Sequence, residues 1–314
     1  MKRIGALEAG GTKMVCAIGD ENGKIYDRVS IPTETPDVTI PAILRYFMDK
    51  NIESLGIACF GPVDLNRESE TYGYITSTPK TAWRDFDIVG ALQSGFGNLD
   101  GLHVPVGFDT DVNGSLLGEV TYGQAKGLTD AVYFTIGTGV GAGIMSGGKL
   151  VHGVRHPEAG HTLLQISPDD PMPEGVCPYH SGCLEGLASG PSIEKRWHKK
   201  AQYLTDRDEV WDLEAYYIAQ GCLQMHLILS PQIIILGGGV MHVEKLGPMI
   251  REQMKKLLNG YGLANPASEN FDKLIVPASL NDDQGIMGAV KLGLDALQAY
   301  LFSPFPTVTT EPER

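Results

Sequence analysis

Residues 131–145 read Ala131-Val132-Tyr133-Phe134-Thr135-Ile136-Gly137-Thr138-Gly139-Val140-Gly141-Ala142-Gly143-Ile144-Met145. β-Branched and aromatic residues on either side of a Gly-Thr-Gly break predict two strands, 131–136 and 140–145, joined by a tight turn. Ser146-Gly147-Gly148 supplies the next turn. The same outline stands at the head of the chain, where apolar runs at 4–7 and 14–18 flank Gly10-Gly11-Thr12-Lys13 and Asp20-Glu21-Asn22-Gly23 leads into a third run at 25–31. The echo continues further along: Gln232-Ile233-Ile234-Ile235-Leu236 before Gly237-Gly238-Gly239-Val240 matches Ile57-Ala58-Cys59-Phe60 before Gly61-Pro62-Val63. Two copies of one strand-turn-strand unit, each followed by a helix and a strand ending in glycine, predict a duplicated α/β fold with a cleft between its halves. Ligands bind in such clefts.

Between the copies, Pro36 opens a helix predicted to reach about residue 50 and Gly61-Pro62 stops a strand at 55–60. A strand at 104–108 precedes a helix to about residue 119. The expected division is an N-terminal α/β domain over 1–117, completed by a C-terminal helix at 285–302. A larger C-terminal α/β domain over 118–284 carries the Pro-, Gly-, His- and Cys-rich loop 152–191, and 303–314 form a tail.

Composition narrows the function. Hydrophobic residues at 42% and charged residues at 20% suffice for a packed core. The 25 Lys+Arg against 38 Asp+Glu, a formal charge of −13, argue against nucleic acid or an anionic membrane as partner. The longest uncharged stretch, 131–148, holds six glycines and makes no membrane helix. Lys2 and Arg3 meet Glu8 before an apolar leader can form, so secretion is not expected. Five cysteines, at 16, 59, 177, 183 and 222, are an odd number in a chain too large to need disulfide staples, which points to the cytoplasm.

Four motifs carry chemistry. In Glu8-Ala9-Gly10-Gly11-Thr12-Lys13 the glycines let backbone N–H groups approach a phosphate, Thr12 and Lys13 add a hydroxyl and a cation, and Glu8 is a candidate Mg²⁺ ligand. No GxxxxGK[ST] or GxGxxG stands in a strand-to-helix context, which excludes P-loop and Rossmann readings. The Gly137-Thr138-Gly139 turn offers a second phosphate loop, so that a polyphosphate could be held from both sides. Asp109-Thr110-Asp111-Val112-Asn113 brings two carboxylates to a strand's C-terminal end, where one can accept a proton from a hydroxyl. Helix capping explains the same residues, and spacing does not choose between Asp109 and Asp111. His161, Cys177, His180 and Cys183 have the ligand types of a filled, structural Zn²⁺ site, with His156 or His152 as alternatives to His161. Glu158 and Glu185 stand beside that loop as candidates for bonding sugar hydroxyls.

These motifs, in this order, make the chain resemble the ROK sugar kinases, most closely their metal-dependent, zinc-containing fructokinase subgroup. The resemblance spans residues 4–294 and includes His156-Pro157-Glu158-Ala159-Gly160-His161 and Leu236-Gly237-Gly238-Gly239-Val240. It implies the duplicated actin-like, ribonuclease H-like ATPase fold and ATP-dependent phosphorylation of fructose at O6, with Asp111 as general base. It further implies sugar contacts at Gly61, Asp111, Glu158, His161 and Glu185. Phosphate loops are implied at Gly10, Gly11, Thr12 and Lys13 and at Gly137, Thr138 and Gly139, with adenosine at Gly238 and Gly239. Mg²⁺ with ATP, a structural Zn²⁺ and a homodimer complete the expectation. Glu8 stands where many members have Asp, Thr110 where glucokinases have Asn, and Pro157 precedes Glu158, which shifts the expected sugar from glucose toward fructose. Kinases for mannose, glucose or an N-acetylated hexosamine, and a non-catalytic sugar sensor, are the alternatives. The phosphate-loop strand beginning by Ile4 leaves no expectation of an N-terminal helix-turn-helix.

Overall fold

Short apolar runs punctuated by glycine turns can hydrogen-bond to their immediate neighbours, and here they do so twice. The computed structural model describes residues 2–100, 104–261 and 270–302. The first three strands, β1 (Ile4–Ala9), β2 (Lys13–Gly19) and β3 (Ile25–Pro32), form an antiparallel meander. Helix α1 (Pro36–Phe47) leads to β4 (Ser54–Cys59), and a ribbon of β5 (Tyr74–Ile75) and β6 (Phe86–Asp87) leads to α2 (Ile88–Asp100) and β7 (Val106–Thr110). The first sheet has the order β3-β2-β1-β4-β7, with β1, β4 and β7 parallel.

After α3 (Asp111–Tyr122), the meander recurs as β8 (Ala131–Ile136), β9 (Val140–Ser146) and β10 (Lys149–Leu150). Helices α4 (Leu184–Ala188), α5 (Gly190–Trp197) and α6 (Asp208–Leu229) precede β11 (Ile233–Gly237). The chain continues through α7 (Leu246–Leu258), α8 (Phe271–Leu274) and β12 (Ile275–Pro277) to α9 (Gln284–Phe302). The second sheet, β10-β9-β8-β11-β12, repeats the first strand for strand. The expected tail, 303–314, lies outside the described residues.

β7 begins and ends two residues later than its expected span of 104–108. Asp109 is a poor strand former, yet it joins the parallel ladder against Ala58, and Thr110 follows it against Cys59, so tertiary pairing overrides propensity at Asp109. The β7–α3 junction therefore has no connecting loop, and Thr110 caps the helix directly, its Oγ1 accepting from the Asn113 N–H at 3.1 Å.

α9 returns to lie across β1, β4 and β7 and against α3, while α3 also packs on β8 and β9. The two helices cross at glycines: a methyl on Gly288 would stand 1.7 Å from the Gly114 carbonyl oxygen, so backbone touches backbone there. Leu116, Tyr133, Ile235 and Ile286 fill the core between the sheets. Cys16, Cys59 and Cys222 are buried core residues, and Val210, Trp211, Tyr217 and Met225 of α6 anchor the second half. Among the described residues no helix is long and apolar enough to cross a membrane.

Candidate active site

Three parallel strands in register present their C-terminal ends to one place. Ala9 pairs with Cys59 and Cys59 with Thr110, so Gly10, Gly61 and Asp111 leave the same sheet edge. Two strand spacings of about 4.8 Å put the Gly10 turn roughly 10 Å from Asp111. That turn is closed by Gly10 N–H donating to Lys13 O at 3.0 Å and is pinned by Thr33, whose Oγ1 donates to Gly10 O at 2.7 Å and whose N–H donates to Thr12 O at 3.0 Å. Thr12 and Lys13 are exposed.

The second sheet does the same. Thr135 pairs with Gly237, so the turn of Gly137, Thr138 and Gly139 emerges beside Gly238 and Gly239. Gly137 N–H donates to Gly139 O at 2.9 Å, and Gly190 N–H to Gly137 O at 2.7 Å. Glu185 belongs to this turn through its Oε2, which accepts from Val140 N–H at 3.0 Å.

A cleft of about 490 Å³ joins the two edges, lined by Glu8, Lys13 and Arg28 from the first half, Gly238, Gly239 and His242 from the second, and Asp111 between them. Burial pushes the Glu8 carboxyl up to about 7, aided by the Asp111 charge and opposed by Lys13. Burial also pushes Asp111 up to about 6, against the Val112 N–H, which donates to its Oδ1 at 2.9 Å. Two carboxyl groups raised into the neutral range across one cleft suit proton transfer or a hard cation.

Asp109 differs from its neighbour two residues on. Its Oδ1 accepts from Thr110 N–H at 2.8 Å and Asn113 Nδ2 at 2.7 Å, and its Oδ2 lies 2.8 Å from His152 Nε2. Asp109 is 4% exposed, with both oxygens engaged, whereas Asp111 faces the cleft. His156 Nε2 accepts from Val63 N–H at 3.2 Å, beside Gly61, and its Nδ1 lies 3.4 Å from Glu158. Glu158 is half-exposed and close enough for its charge to be felt at Asp111. Both histidines offered as alternatives to His161 thus have other partners.

His161, Cys177, His180 and Cys183 converge. Cys177 Sγ lies 3.8 Å from His161 Nδ1 and 3.7 Å from His180 Nδ1, Cys183 Sγ lies 3.8 Å from His161 Nδ1, and all four donor atoms lie within 4.8 Å of one another. A tetrahedron with metal–sulfur bonds of about 2.3 Å and metal–nitrogen bonds of about 2.0–2.1 Å has edges of about 3.5 Å between sulfur and nitrogen, so this donor set fits Zn²⁺.

The sequence reading missed Arg28, Asp283 and His242 at the cleft. Arg28 of β3 pairs with Asp283, which precedes α9, and His242 lies 3.2 Å from Asp282. Asn281 and Asp282 hold left-handed backbone, with φ of 52° and 65°. Asn-Asp-Asp before a helix reads as a cap, and only the return of α9 to the first sheet brings it to the site.

Residues 4–296 match the family model described as ROK family. The chain is 45% identical to a fructokinase from Pediococcus pentosaceus, covering 94% of this chain and 99% of that one. It is 42% identical to a fructokinase from Streptococcus mutans, covering 93% and 97%. Among solved structures, the ROK hexokinase from Thermus thermophilus superposes with a TM-score of 0.75 at 25% identity, over 94% of this chain and 99% of that one.

Proposed function

The chain belongs to the ROK family, with the duplicated actin-like ATPase fold, and on that premise we propose that it is an ATP-dependent fructokinase that phosphorylates fructose at O6. The geometric observation that carries the reading is Asp111: a cleft-facing carboxylate at the first turn of α3, leaving the same sheet edge as the Gly10 turn.

Above about pH 6 Asp111 is ionised and takes the proton from the fructose O6 hydroxyl. O6 attacks the γ-phosphorus, the O6–P bond forms, and the bond from phosphorus to the bridging oxygen breaks, its electron pair leaving with ADP. The turns Gly10–Lys13 and Gly137–Gly139 hold the phosphates through the N–H groups of residues 11, 12, 138 and 139, with Lys13, while the N–H groups of Gly10 and Gly137 close the turns themselves. Gly238 and Gly239 leave room for adenosine. Gly61, Glu158, His161 and Glu185 orient the sugar. His161 can serve both sides, since Nδ1 faces the thiols and leaves Nε2 for a hydroxyl. Closure of the halves excludes water, which would otherwise take the phosphoryl group.

The oxygen donor of Glu8 fits Mg²⁺ entering with ATP, and bound there it would neutralise phosphate charge. The Cys/His cluster fits a structural Zn²⁺ that orders loop 152–191. The domain division at 117/118, with the α9 segment 285–302 returning to the first half, belongs to the same proposal. So does a homodimer, on the family likeness, and a cytoplasmic location, on five cysteines that are all free.

Asp111→Asn keeps size and removes the base. It is expected to lower kcat by roughly 10²–10⁴-fold with little change in the KM for fructose. Near-normal turnover of the variant would remove Asp111 from the mechanism.

A further inference from the structure

Thr78-Pro79-Lys80 lies between β5 and β6 and runs into a single 3₁₀ turn, Thr81–Trp83. Lys80 O accepts from Trp83 N–H at 2.8 Å, and Trp83 Nε1 donates to Glu34 O at 2.7 Å. Glu34 follows Thr33, the residue that pins the Gly10 turn from the other side. Trp83 is 1% exposed, with its ring edge-on to Phe60 at 6.2 Å and to Phe86 at 5.3 Å. One rigid unit therefore ties the backbone of Lys80 both to the phosphate turn and to the strand end carrying Gly61.

The side chain follows suit. Lys80 Cε lies 3.1 Å from the point a Cβ on Gly11 would occupy, so the alkyl stem crosses the face of the turn and the ammonium emerges beside it. Lys80 is half-buried, and among the described residues its Nζ has no hydrogen-bond acceptor and no carboxylate within 4.0 Å. Ordering a lysine side chain without a partner costs conformational entropy, and a bound anion would offset it. The other lysine of the turn, Lys13, lies near enough to Glu8 for its charge to lower that carboxyl. Lys80 faces no such carboxylate, and its stem lies on Gly11 of the proposed phosphate turn.

We propose that Lys80 is a catalytic residue whose ammonium contacts the terminal phosphoryl oxygens of ATP as the group passes to the sugar. The assignment rests on the kinase reading above. Lys80 stays protonated throughout and neutralises charge on the equatorial oxygens, the task an inserted arginine performs in other phosphoryl transferases. It has no part in gripping the phosphates that remain on ADP.

The full chain carrying Lys80→Met, Lys80→Gln or Lys80→Arg is compared with the unsubstituted protein in two assays. One is steady-state ADP release with fructose; the other is the Kd of ATP and of ADP with Mg²⁺ and no sugar. Lys80→Met is expected to lower kcat by about 10²–10³-fold, with Lys80→Arg recovering about tenfold or more of the loss. The Met variant should also weaken ATP by about tenfold while ADP stays within about threefold. A Met variant with normal kcat, or one that weakens ATP and ADP equally, overturns the assignment, because equal loss means a distorted turn. Lys80→Gln, which keeps a polar end, repeats the measurement if the Met variant does not fold. The ATP-to-ADP ratio is read without sugar, so an unsubstituted protein that ignores fructose would refute the fructokinase reading while that ratio still judges Lys80.

Discussion

Asp109 and Asp111 are the same residue type two positions apart, and their surroundings give them different chemistry. Asp109 is saturated by Thr110, Asn113 and His152 and orients the β7–α3 junction. Asp111, the first residue of the helix, is raised to about 6 chiefly by burial. An aqueous aspartate ionises near 4, so between about pH 4 and 6 Asp111 is protonated where an exposed carboxylate would not be. Only the ionised form accepts a proton, hence kcat/KM for fructose is expected to fall about tenfold per pH unit below roughly pH 6 and to level off above it. A pH–rate profile with its acid limb near 4 would contradict this environment for Asp111. Spacing alone left the two aspartates equivalent, because their difference lies in partners from distant segments: His152 is 43 residues from Asp109. Lys80 was illegible for a similar reason, since nothing in Thr78-Pro79-Lys80 signals a glycine turn 69 positions earlier.

Among the elements, the loop 152–191 shows most clearly what local spacing can and cannot reveal. Cys177, His180 and Cys183 announce a metal site within seven residues, and His161 joins them through the Ala159–His161 turn. The loop's second anchor left no comparable mark. Arg196 of α5 donates from Nε and Nη2 to Asp170, and from Nη1 to Glu214 of α6, while Tyr217 Oη donates to Asp170 at 2.7 Å. All three charged groups are buried, and burial pushes the Glu214 carboxyl up to about 8 despite Arg196. An arginine and a glutamate on helices ordinarily read as solvated faces, so only the fold that brings Arg196 of α5 to Glu214 of α6 shows this anchor. Two independent ties predict partial loss when one is cut. Cys183→Ser, or exhaustive chelation, is expected to remove about one Zn²⁺ per chain, lower the thermal midpoint and expose the segment around Pro178 to protease. Fructose turnover should fall with it, since His161 loses its orientation. Freshly purified protein with no zinc, and a Cys183→Ser variant with an unchanged midpoint, would contradict a structural metal.

At the scale of the whole molecule, the duplication was written in repeated glycine turns at 10–12 and 137–139 and at 61 and 237–239, and both sheets carry the same strand order. What joins the halves was not. The contact of Gly114 with Gly288 holds α3 against α9, and Asp111 at the start of α3 lines one cleft with Glu8 and Lys13 of the first half and Gly238 and Gly239 of the second. A sequence shows that a glycine is present but not which backbone it admits. On the proposed reading, that arrangement would set the acceptor sugar opposite the nucleotide, which is what transfer between two bound substrates requires. The central claim, that the acceptor is fructose, is tested most directly by initial rates of ADP release with Mg-ATP on fructose, mannose, glucose and N-acetylmannosamine, with the product identified by phosphorus NMR. A kcat/KM for fructose about tenfold or more above that of each other sugar is expected, with fructose 6-phosphate as product. Preference for another sugar, or folded, metal-loaded protein inactive on all four, would contradict it.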